Sequence, residues 1–551
     1  MSPPGAPMLR RNRRITTPAS LALALAAPLF AHDDDPKILD REPPYVGLGF
    51  RLGGAPPGAR TLAGGAFASD GVTLLSWLTL AELDGGESGA DCWGYVSPTG
   101  REYAIIGTFN GTSFVEITDP TNPSIAGFVD GPDSLWRDVK VYRDHAYAVS
   151  EGGWGIQVIW LGQIDSGSVS LVRTVSDPDV AWTHNVAIDE VSGFLYRAGG
   201  GDNGLRIYSL ADPANPAYVA SWTSRYVHDA QVVTYTTGPY AGRQIAYCCS
   251  GFDRGWTQTG LDVLDVTDKS SILQLDRHFY PNPGYSHQGW LSADRRYFYL
   301  GDETDEAGGL PTTTHILDVS DPTAVVGRGT FTNGNSATGH NLYTKGAFVY
   351  EANYRSGLRV FDANDPRAPF EVGYFDTYPD SDDAGYAGLW SVFPYFPSGV
   401  VIGSDMQRGL FVWSVPSCSI RSYCTGAPSS VGPGSRLLTT GSASIAANDL
   451  ELVATQCPPG QPGIFFMGST QLEVPFGNGF LCAGGEIRRF HPPVLTDASG
   501  QARRVVDLTA PPAAGRIVSD STWNFQYWYR DPDHGGAFFN LSDGVEATFC
   551  P

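Results

Sequence analysis

Hydrophobic and polar residues alternate in short runs along most of the chain, which is the pattern of strands that bury one face. A clear example begins with the run Asp138-Val-Lys-Val-Tyr142, followed by a turn at Arg143-Asp-His145 and a second run, Ala146-Tyr-Ala-Val-Ser-Glu151. Two more alternating runs follow at residues 155–161 and 169–175. Four such runs in succession predict one antiparallel sheet.

A short polar motif begins each group of strands, and the motif recurs along the chain. The copies are Cys92-Trp93-Gly94, Trp136-Arg137-Asp138, Thr183-His184-Asn185, Val227-His228-Asp229, Ser286-His287-Gln288, Gly339-His340-Asn341 and Leu389-Trp390-Ser391. Their central residues lie 44 to 59 positions apart. A repeat of this size built from strands is typical of a β-propeller. The sequence therefore predicts an all-β protein with a seven-bladed β-propeller over residues 70–415.

The last predicted blade has one strand fewer than the others. Its strands are expected at residues 390–393, 400–403 and 409–413, and a further strand, Gly71-Val-Thr-Leu-Leu-Ser-Trp77, precedes the first blade. Adding this N-terminal strand to the last blade would close the ring and remove its open edges. The Gly/Pro-rich residues 32–69 are expected to form an extended segment over the surface.

A second, smaller domain is predicted after the propeller. Residues 416–430 have the composition of a linker, and residues 431–551 contain short strands separated by turn residues, which favours a β-sandwich. Five of the eight cysteines lie in this last quarter, as expected in an oxidising compartment. We expect disulfides among Cys424, Cys457, Cys482 and Cys550, with Cys418 as a further candidate. Cys248 and Cys249 are expected to pair elsewhere in the chain.

The N-terminus has the pattern of a secretory signal peptide over residues 1–31. Arginines at positions 10, 11, 13 and 14 precede an apolar run, Leu21 to Phe30, that is shorter than the roughly 20 residues needed to span a bilayer. No later segment is apolar enough to cross a membrane. The net charge of -22 argues against nucleic acid and anionic membranes as partners. We expect a mature protein that is secreted or held at the cell surface.

The repeats resemble the bacterial LVIVD-repeat family, specifically its choice-of-anchor B surface proteins. The resemblance runs from His32 to about Val415. It implies an extracellular propeller on the bacterial envelope, with a variable C-terminal region that often provides attachment and no established activity. The tail resembles a C-terminal β-domain of secreted bacterial proteins. The segments that carry the family resemblance are residues 32–41, 134–142, 226–231, 286–291, 340–343, 350–355 and 375–378.

The same motifs predict a cluster of polar side chains at one rim of the central channel. The first strand of a blade lines the channel and the second runs back beside it, so the start of one and the end of the other share a rim. The candidates for this rim are Arg137, Asp138, Glu151, His184, Asn185, His228, Asp229, His287, Gln288, His340, Asn341, Glu351, Arg355, Trp390 and Asp405.

Two kinds of role remain open for these residues. A polar residue at each blade start can bond the backbone of the next blade and fix the ring. Alternatively, imidazoles and carboxylates can hold a divalent metal as a cofactor, or line a polar pocket for a small ligand. Arg355 and Arg408 are expected to pair with Glu351 and Asp405, and the alternative is that they bind an anionic ligand. The candidate metal ligands are His184, His228, His287, His340, Asp302 and Glu303.

The function expected from the sequence is binding rather than catalysis. We expect a binding or adhesion module whose partner is an extracellular ligand or surface component. The alternative is a metal-dependent enzyme with its His/carboxylate site at the channel mouth. The propeller fold hosts both kinds of protein and does not choose between them.

Overall fold

The computed structural model describes residue 1 and residues 36–53, 67–176, 182–199, 204–251, 258–363, 365–415, 419–445, 447–518 and 521–550. Nearly all of the predicted signal peptide and part of the predicted linker lie outside these residues. Within these ranges, no helix has both the length and the apolarity needed to span a membrane.

The described part of residues 50–414 folds into seven antiparallel sheets. The first five have four strands each, hydrogen-bonded in sequence order. Sheet 1 contains Gly89–Val96, Glu102–Thr108, Gly111–Glu116 and Ser124–Asp130; sheet 2 contains Arg137–Tyr142, His145–Ser150, Ile156–Gln163 and Ser168–Val175; sheet 3 contains Asn185–Asp189, Phe194–Ala198, Leu205–Ser209 and Ala217–Trp222; sheet 4 contains Asp229–Thr234, Gln244–Ser250, Gly260–Asp265 and Leu273–His278; sheet 5 contains Ser286–Leu291, Tyr297–Asp302, Thr314–Asp318 and Val326–Phe331.

Sheets 6 and 7 recruit their outer strands from the N-terminal segment. Sheet 6 contains Leu342–Lys345, Phe348–Ala352, Leu358–Asp362 and Phe370–Phe375, with Ser69–Asp70 at its outer edge. Sheet 7 contains Leu389–Phe393, Val400–Asp405 and Gly409–Ser414, followed by Thr73–Leu78 and then Phe50–Arg51. The predicted closing strand is therefore confirmed, since Thr73–Leu78 pairs antiparallel with Gly409–Ser414. The two-residue strands were not predicted, because such short runs carry no periodicity.

The sheets follow one another around a central channel. The first strand of each sheet packs against the first strand of the next, and Leu389–Phe393 of sheet 7 packs against Gly89–Val96 of sheet 1. Apolar side chains fill the space between neighbouring sheets; Phe393 and Ile402, for example, share a core with Ile106. This cyclic packing of antiparallel sheets is the β-propeller fold.

Aromatic packing holds the N-terminal strand in sheet 7. The Trp77 ring stacks on Phe411 with centroids 5.3 Å apart, and Phe67 meets it edge-on at 5.6 Å. The indole N–H of Trp77 donates to the carbonyl of Arg408 at 2.6 Å. Chain segments more than 300 residues apart are thus joined by buried rings and a hydrogen bond.

The C-terminal region contains two sheets and a hairpin. Apolar residues from both sheets, including Leu452 and Phe525, share one hydrophobic core. The larger sheet has the order Ser419–Tyr423, Gly544–Thr548, Thr522–Arg530, Pro462–Gly468 and Arg488–Arg489, with Val494–Leu495 and Phe539–Leu541 at its sides; the smaller contains Arg436–Thr440, Glu451–Thr455 and Ala502–Val505; the hairpin is Thr470–Phe476 and Gly479–Gly484. Helical turns are confined to Pro36–Leu39, Ile164–Ser166, Asp305–Gly308 and Pro532–His534 among the described residues.

The cysteine predictions are confirmed in part. Cys424 and Cys482 form a disulfide, and Cys550 is also disulfide-bonded. Cys457 is a buried free thiol, so its predicted pairing is wrong. It packs within the shared core of the C-terminal region, where a thiol behaves as a small apolar side chain.

The expected pairing of Cys248 and Cys249 is also wrong, because both are buried free thiols. They are neighbours in the strand Gln244–Ser250, so their side chains point to opposite faces of sheet 4. Cys248 enters the core shared with sheet 3, and Cys249 enters the core shared with sheet 5.

Removing the Trp77 side chain should destabilise the propeller. Trp77→Ala creates a cavity against Phe411 and removes the bond to the Arg408 carbonyl, so we expect a loss of about 3–5 kcal/mol in urea unfolding. Trp154→Ala is the matched control, because Trp154 is 49% exposed. A loss below about 1 kcal/mol for Trp77→Ala would show that the N-terminal strand does not hold the ring together.

The Cys424–Cys482 bond should protect the C-terminal region from unfolding. The bond spans 58 residues, so replacing both cysteines by alanine should cost about 2–4 kcal/mol. Alkylation of the unfolded, unreduced protein, followed by peptide mapping, should label Cys92, Cys248, Cys249 and Cys457. Label on Cys424 or Cys482 would contradict the assignment.

Candidate functional site in the central channel

Four histidines form a continuous stack at one rim of the channel. Ring centroids lie 4.3 Å apart for His184 and His228, 4.1 Å for His228 and His287, and 4.2 Å for His287 and His340. The stack continues to Trp390, 4.5 Å from His340. These rings come from sheets 3 to 7 and meet because each motif stands where an inner strand begins. The predicted convergence of the histidines is confirmed.

Ring nitrogens of this stack bond the backbone of the next sheet. Nδ1 of His228 lies 2.9 Å from the carbonyl oxygen of His287, and Nδ1 of His340 lies 2.5 Å from that of Trp390. A nitrogen facing a carbonyl must carry the hydrogen, so Nδ1–H donates in both rings. In a neutral ring, Nε2 then keeps its lone pair and is available as a ligand.

The residues in the third position of several motifs make further bonds between sheets. Asn185 donates to the carbonyl of His228 at 3.1 Å, and Gln288 accepts from the backbone N–H of Leu342 at 2.9 Å. Asp138 accepts from the N–H of Val186 at 2.7 Å. The ring-fixing role expected of these polar residues is therefore realised at several blades.

Arg137 and Asn341 also connect neighbouring sheets. The Arg137 guanidinium donates to the carbonyls of Thr108 and Pro132 at 2.8 and 2.6 Å, so it is held between sheets 1 and 2. Asn341 donates to Ser391 at 3.3 Å. Neither residue belongs to the histidine stack, and both act in the packing of the ring.

Glu303 is the carboxylate at the centre of the histidine rim. Its Oε2 lies 3.6 Å from Nε2 of His287, and its Oε1 lies 3.7 Å from Nε2 of His340. Among the described residues, these three form the one group whose ligand atoms all lie within 4.8 Å of one another. Glu151 forms a separate pair with His184, whose Nδ1 is 2.6 Å from Oε1.

The other predicted acids do not reach the histidines. Asp302 turns toward the loop before sheet 5, where it accepts from Tyr280 at 2.8 Å and from the N–H of Tyr285 at 2.6 Å. Asp405 accepts hydrogen bonds from the backbone N–H groups of Gln407 and Arg408, in the turn that follows it. Neither Asp302 nor Asp405 belongs to the ligand group of His287, Glu303 and His340, so Asp302 does not join the other candidate metal ligands there. Each of these strand-end carboxylates is bound by the loop that follows or precedes it.

Glu351 is likewise bound away from the histidines, by one residue of its own sheet region and one of the neighbouring sheet. It accepts from Thr314 at 2.6 Å and from Asn353 at 3.1 Å. Burial raises the pKa of Glu351 to about 7, with these hydrogen bonds acting in the opposite direction. Glu351 therefore belongs to the packing of sheets 5 and 6.

Lys37 occupies the histidine rim, which the sequence did not predict. Its side chain is 2% exposed, and Nζ lies 2.7 Å from Oε1 of Glu303. Tyr354 donates to the same oxygen at 3.0 Å, and the ammonium lies 5.4 Å from the ring centre of Trp390. Residues 36–39 thus bring a cation into the mouth of the channel, although this segment was expected to lie on the surface.

Two acidic residues after Lys37 anchor the segment to Arg355. The guanidinium lies 3.2 Å from Asp40 and 3.5 Å from Glu42. Glu42 also accepts from Tyr378 at 2.7 Å. The predicted pairing of Arg355 with Glu351 is therefore wrong, since the N-terminal segment supplies nearer carboxylates.

Arg408 also departs from its predicted partner. Its guanidinium donates to the carbonyl of Thr377 at 2.7 Å and lies 5.4 Å from the ring centre of Tyr45. Only its backbone N–H reaches Asp405. Through its contact with Tyr45, the Arg408 side chain packs the N-terminal segment against the propeller.

The imidazoles at the rim favour the neutral state. Burial lowers the pKa of His287 and His340 well below the ordinary value, and neighbouring histidines and the Lys37 ammonium add to the effect. Neither ring nitrogen of His287 is hydrogen-bonded among the described residues, although the His340 backbone lies nearby. The rim therefore presents neutral nitrogen donors around one carboxylate.

A separate pocket lies further along the channel, lined by the later residues of the inner strands. Its volume is about 590 Å³. One wall is aromatic, with Trp93 and Phe393 4.9 Å apart and Trp290 and Tyr343 4.9 Å apart. Trp290 and Tyr395 remain partly exposed to the cavity. Aromatic faces of this kind offer flat apolar contact to a ligand.

Charged side chains also line the pocket, and the Lys140 ammonium lies 4.7 Å from the ring centre of Trp93. Lys140 pairs with Asp91 at 2.8 Å and with Asp138 at 2.5 Å. Asp229 lies beside this group, and burial raises its pKa to about 7 against the opposing effect of Lys140. Gln231 also lines the cavity. The pocket therefore combines apolar faces with hydrogen-bond acceptors.

Replacing Glu351 by glutamine should change the pH dependence of stability. The raised pKa means that the folded state holds the Glu351 proton more strongly than the unfolded state. The wild-type protein should therefore lose about 2–3 kcal/mol relative to Glu351→Gln as the pH rises from below 4.5 through about 7. Urea unfolding across this range measures the difference. Glu87→Gln at an exposed site is the control, and parallel curves for wild type and Glu351→Gln would contradict the prediction.

No protein-family model and no curated protein matches the sequence of this chain. Similar solved structures include the β-propeller domain of Cps50 (Swd1) from Myceliophteria thermophila, 11% identical over 58% of this chain and 96% of that one, with a TM-score of 0.40. A protein from Lactobacillus plantarum is 15% identical over 58% and 89% of the two chains, with a TM-score of 0.42. The WD40 repeats of RRP9 are 10% identical over 60% and 99%, with a TM-score of 0.40.

Proposed function

We propose that this protein is a secreted or cell-surface binding module whose channel pocket takes up an extracellular ligand. In this proposal, the seven sheets are the blades of one closed ring, and the ring serves as a rigid frame for the pocket. The observation that carries the proposal is a cavity of about 590 Å³ whose lining combines aromatic faces, such as Trp93 and Trp290, with polar groups, such as Asp229 and Gln231. A concave, largely apolar pocket with a few placed polar groups is typical of small-ligand sites.

Carbohydrate is the ligand class that fits this pocket best. A sugar ring has an apolar face that can stack on Trp290 and Trp93, and hydroxyl groups that can donate to Asp229. The oxygen of Gln231 already accepts from the Leu291 N–H at 2.8 Å, so its NH2 group is the part that can donate to a sugar hydroxyl. Asp91 and Asp138 are already paired with Lys140, so Asp229 is the carboxylate best placed to accept from a ligand. The pocket volume leaves room for one or two sugar rings.

The proposed location follows from several features of the chain. The N-terminal signal pattern and the resemblance to LVIVD-repeat surface proteins support a place on the bacterial envelope. The Cys424–Cys482 disulfide fits an oxidising compartment. We assign attachment or adhesion to the C-terminal region, whose two sheets we take as the predicted β-sandwich.

Binding should weaken when either an aromatic or a polar residue of the pocket lining is altered. Soluble mono- to tetrasaccharides, including amino sugars, are titrated against the purified protein, and tryptophan fluorescence and calorimetry report binding. Trp290→Ala and Asp229→Asn should each weaken binding at least tenfold. Affinity for the wild type should rise as the pH increases through about 7, since Asp229 then becomes the stronger acceptor.

Trp154→Ala provides the control, because Trp154 lies in an exposed loop away from the pocket lining. Binding that survives both Trp290→Ala and Asp229→Asn would place the ligand elsewhere on the protein. Failure of every sugar in the panel to bind would reject carbohydrate as the ligand class.

A further inference from the structure

We propose that His287, His340 and Glu303 form a site for a divalent metal, and that the Lys37 ammonium takes the place of the metal ion in the metal-free protein. This inference concerns the histidine rim and goes beyond the ligand pocket proposed above. It narrows the six metal ligands expected from the sequence to three and adds a residue that the sequence did not point to.

The spacing of the three donors fits a small transition metal. Ligands bound at about 2.0–2.1 Å to a tetrahedral zinc ion lie roughly 3.3 Å from one another. The two Nε2–carboxylate distances are 3.6 and 3.7 Å, and all three donor atoms lie within 4.8 Å of one another. Side-chain movements of a few tenths of an ångström at the carboxylate, and a somewhat larger closing of the two rings, would complete the geometry.

The hydrogen bonding of His340 matches that of a metal-bound histidine. Such histidines usually donate their second ring N–H to a backbone carbonyl or carboxylate, which fixes the tautomer and aims the other nitrogen at the metal. His340 donates from Nδ1 to the carbonyl of Trp390, and its Nε2 faces Glu303. The ring is therefore already oriented as a ligand.

The Nε2 lone pair of His340 faces the Glu303 carboxylate, so a positive charge between them is favourable. His287 is 1% exposed and has no hydrogen-bond partner on either nitrogen among the described residues, an arrangement that is costly in a buried group. The Lys37 ammonium, 2.7 Å from Oε1 of Glu303, supplies that charge in this structure. A divalent ion would satisfy the same carboxylate and both imidazoles directly.

Lys37 and a metal ion cannot share the site. A bound dication would lie about 2 Å from the carboxylate oxygen that now accepts from the Lys37 ammonium. The ion and the ammonium would then be close neighbours, and their like charges would repel strongly. Lys37 must therefore withdraw before a metal binds. Asp40 and Glu42 hold the chain just after it through Arg355, so Lys37 can withdraw while residues 40–42 stay in place.

Neutral imidazoles and one carboxylate are the ligand set of many zinc sites in which a fourth position stays open. Softer sulfur ligands are missing from this cluster, and a purely oxygen-binding ion such as calcium would gain little from two imidazoles. We therefore expect zinc, with cobalt(II) as a spectroscopic substitute.

Removing the Lys37 charge provides the test. Full-length mature protein without a histidine tag is stripped with a chelator and titrated with zinc chloride, using calorimetry and elemental analysis. Lys37→Met keeps the aliphatic stem but removes the charge, so it should bind one equivalent of zinc at least tenfold more tightly than the wild type. Cobalt(II) bound to Lys37→Met should show the visible absorption of a four-coordinate site.

Second substitutions in the Lys37→Met background identify the ligands. Adding His287→Ala, His340→Ala or Glu303→Gln should abolish the bound equivalent, whereas adding His184→Ala should retain it, because His184 pairs with Glu151 outside the cluster. Lys345→Met is the matched control for loss of a lysine and should leave zinc affinity at the wild-type value.

Each variant is checked for folding by circular dichroism and urea unfolding. If a histidine variant fails to fold, Glu303→Gln carries the ligand test by itself. Equal zinc affinities in wild type and Lys37→Met, or zinc retained by the Lys37→Met/Glu303→Gln protein, would overturn the proposal. Carbohydrate binding in the pocket is measured separately, so the failure of either proposal can be told apart from the failure of the other.

Discussion

The structure depends on hydrogen bonds that pass from the start of one inner strand to the backbone of the next. A propeller must hold its sheets in a ring although neighbouring sheets share no ladder of backbone bonds. Apolar packing between sheets supplies most of the stabilisation but little direction, whereas a bond such as that from His340 Nδ1 to the Trp390 carbonyl fixes one angle and one distance. Because these bonds recur from blade to blade, the side chains that make them all lie at one rim of the ring.

The ring-fixing role of the rim is therefore compatible with the metal binding proposed for it. The same imidazole uses Nδ1 to bond the next blade and keeps Nε2 for the channel. An imidazole that holds the next blade through Nδ1 is thereby oriented as the proposed metal site requires, and burial keeps the ring neutral. Lys37 completes this arrangement by placing a positive charge against Glu303. The channel pocket is built on the same strands further along, where Lys140 and the aromatic residues replace the histidines.

The sequence predicted those parts of the fold and site that follow from periodicity. The repeated motif predicted the inner strands, the closing strand at Thr73–Leu78 and the gathering of the four histidines. It did not predict which acids reach them, because the direction of a strand-end carboxylate depends on the loop beside it, as Asp302 shows. Lys37 lies in a segment without periodicity. The position of Lys140 could have been predicted from the sequence, because it stands two positions after Asp138 on the same face of an inner strand.

The central claim is that one histidine nitrogen fixes the ring while the other faces the channel. Nitrogen-15 NMR of protein labelled at histidine tests it most directly, because ring nitrogens with and without hydrogen have distinct chemical shifts. The account predicts that His340, identified by the loss of its signals in His340→Gln, is a neutral ring at pH 7 with hydrogen on Nδ1 and none on Nε2. A hydrogen on Nε2, in either the other tautomer or a charged ring, would contradict it.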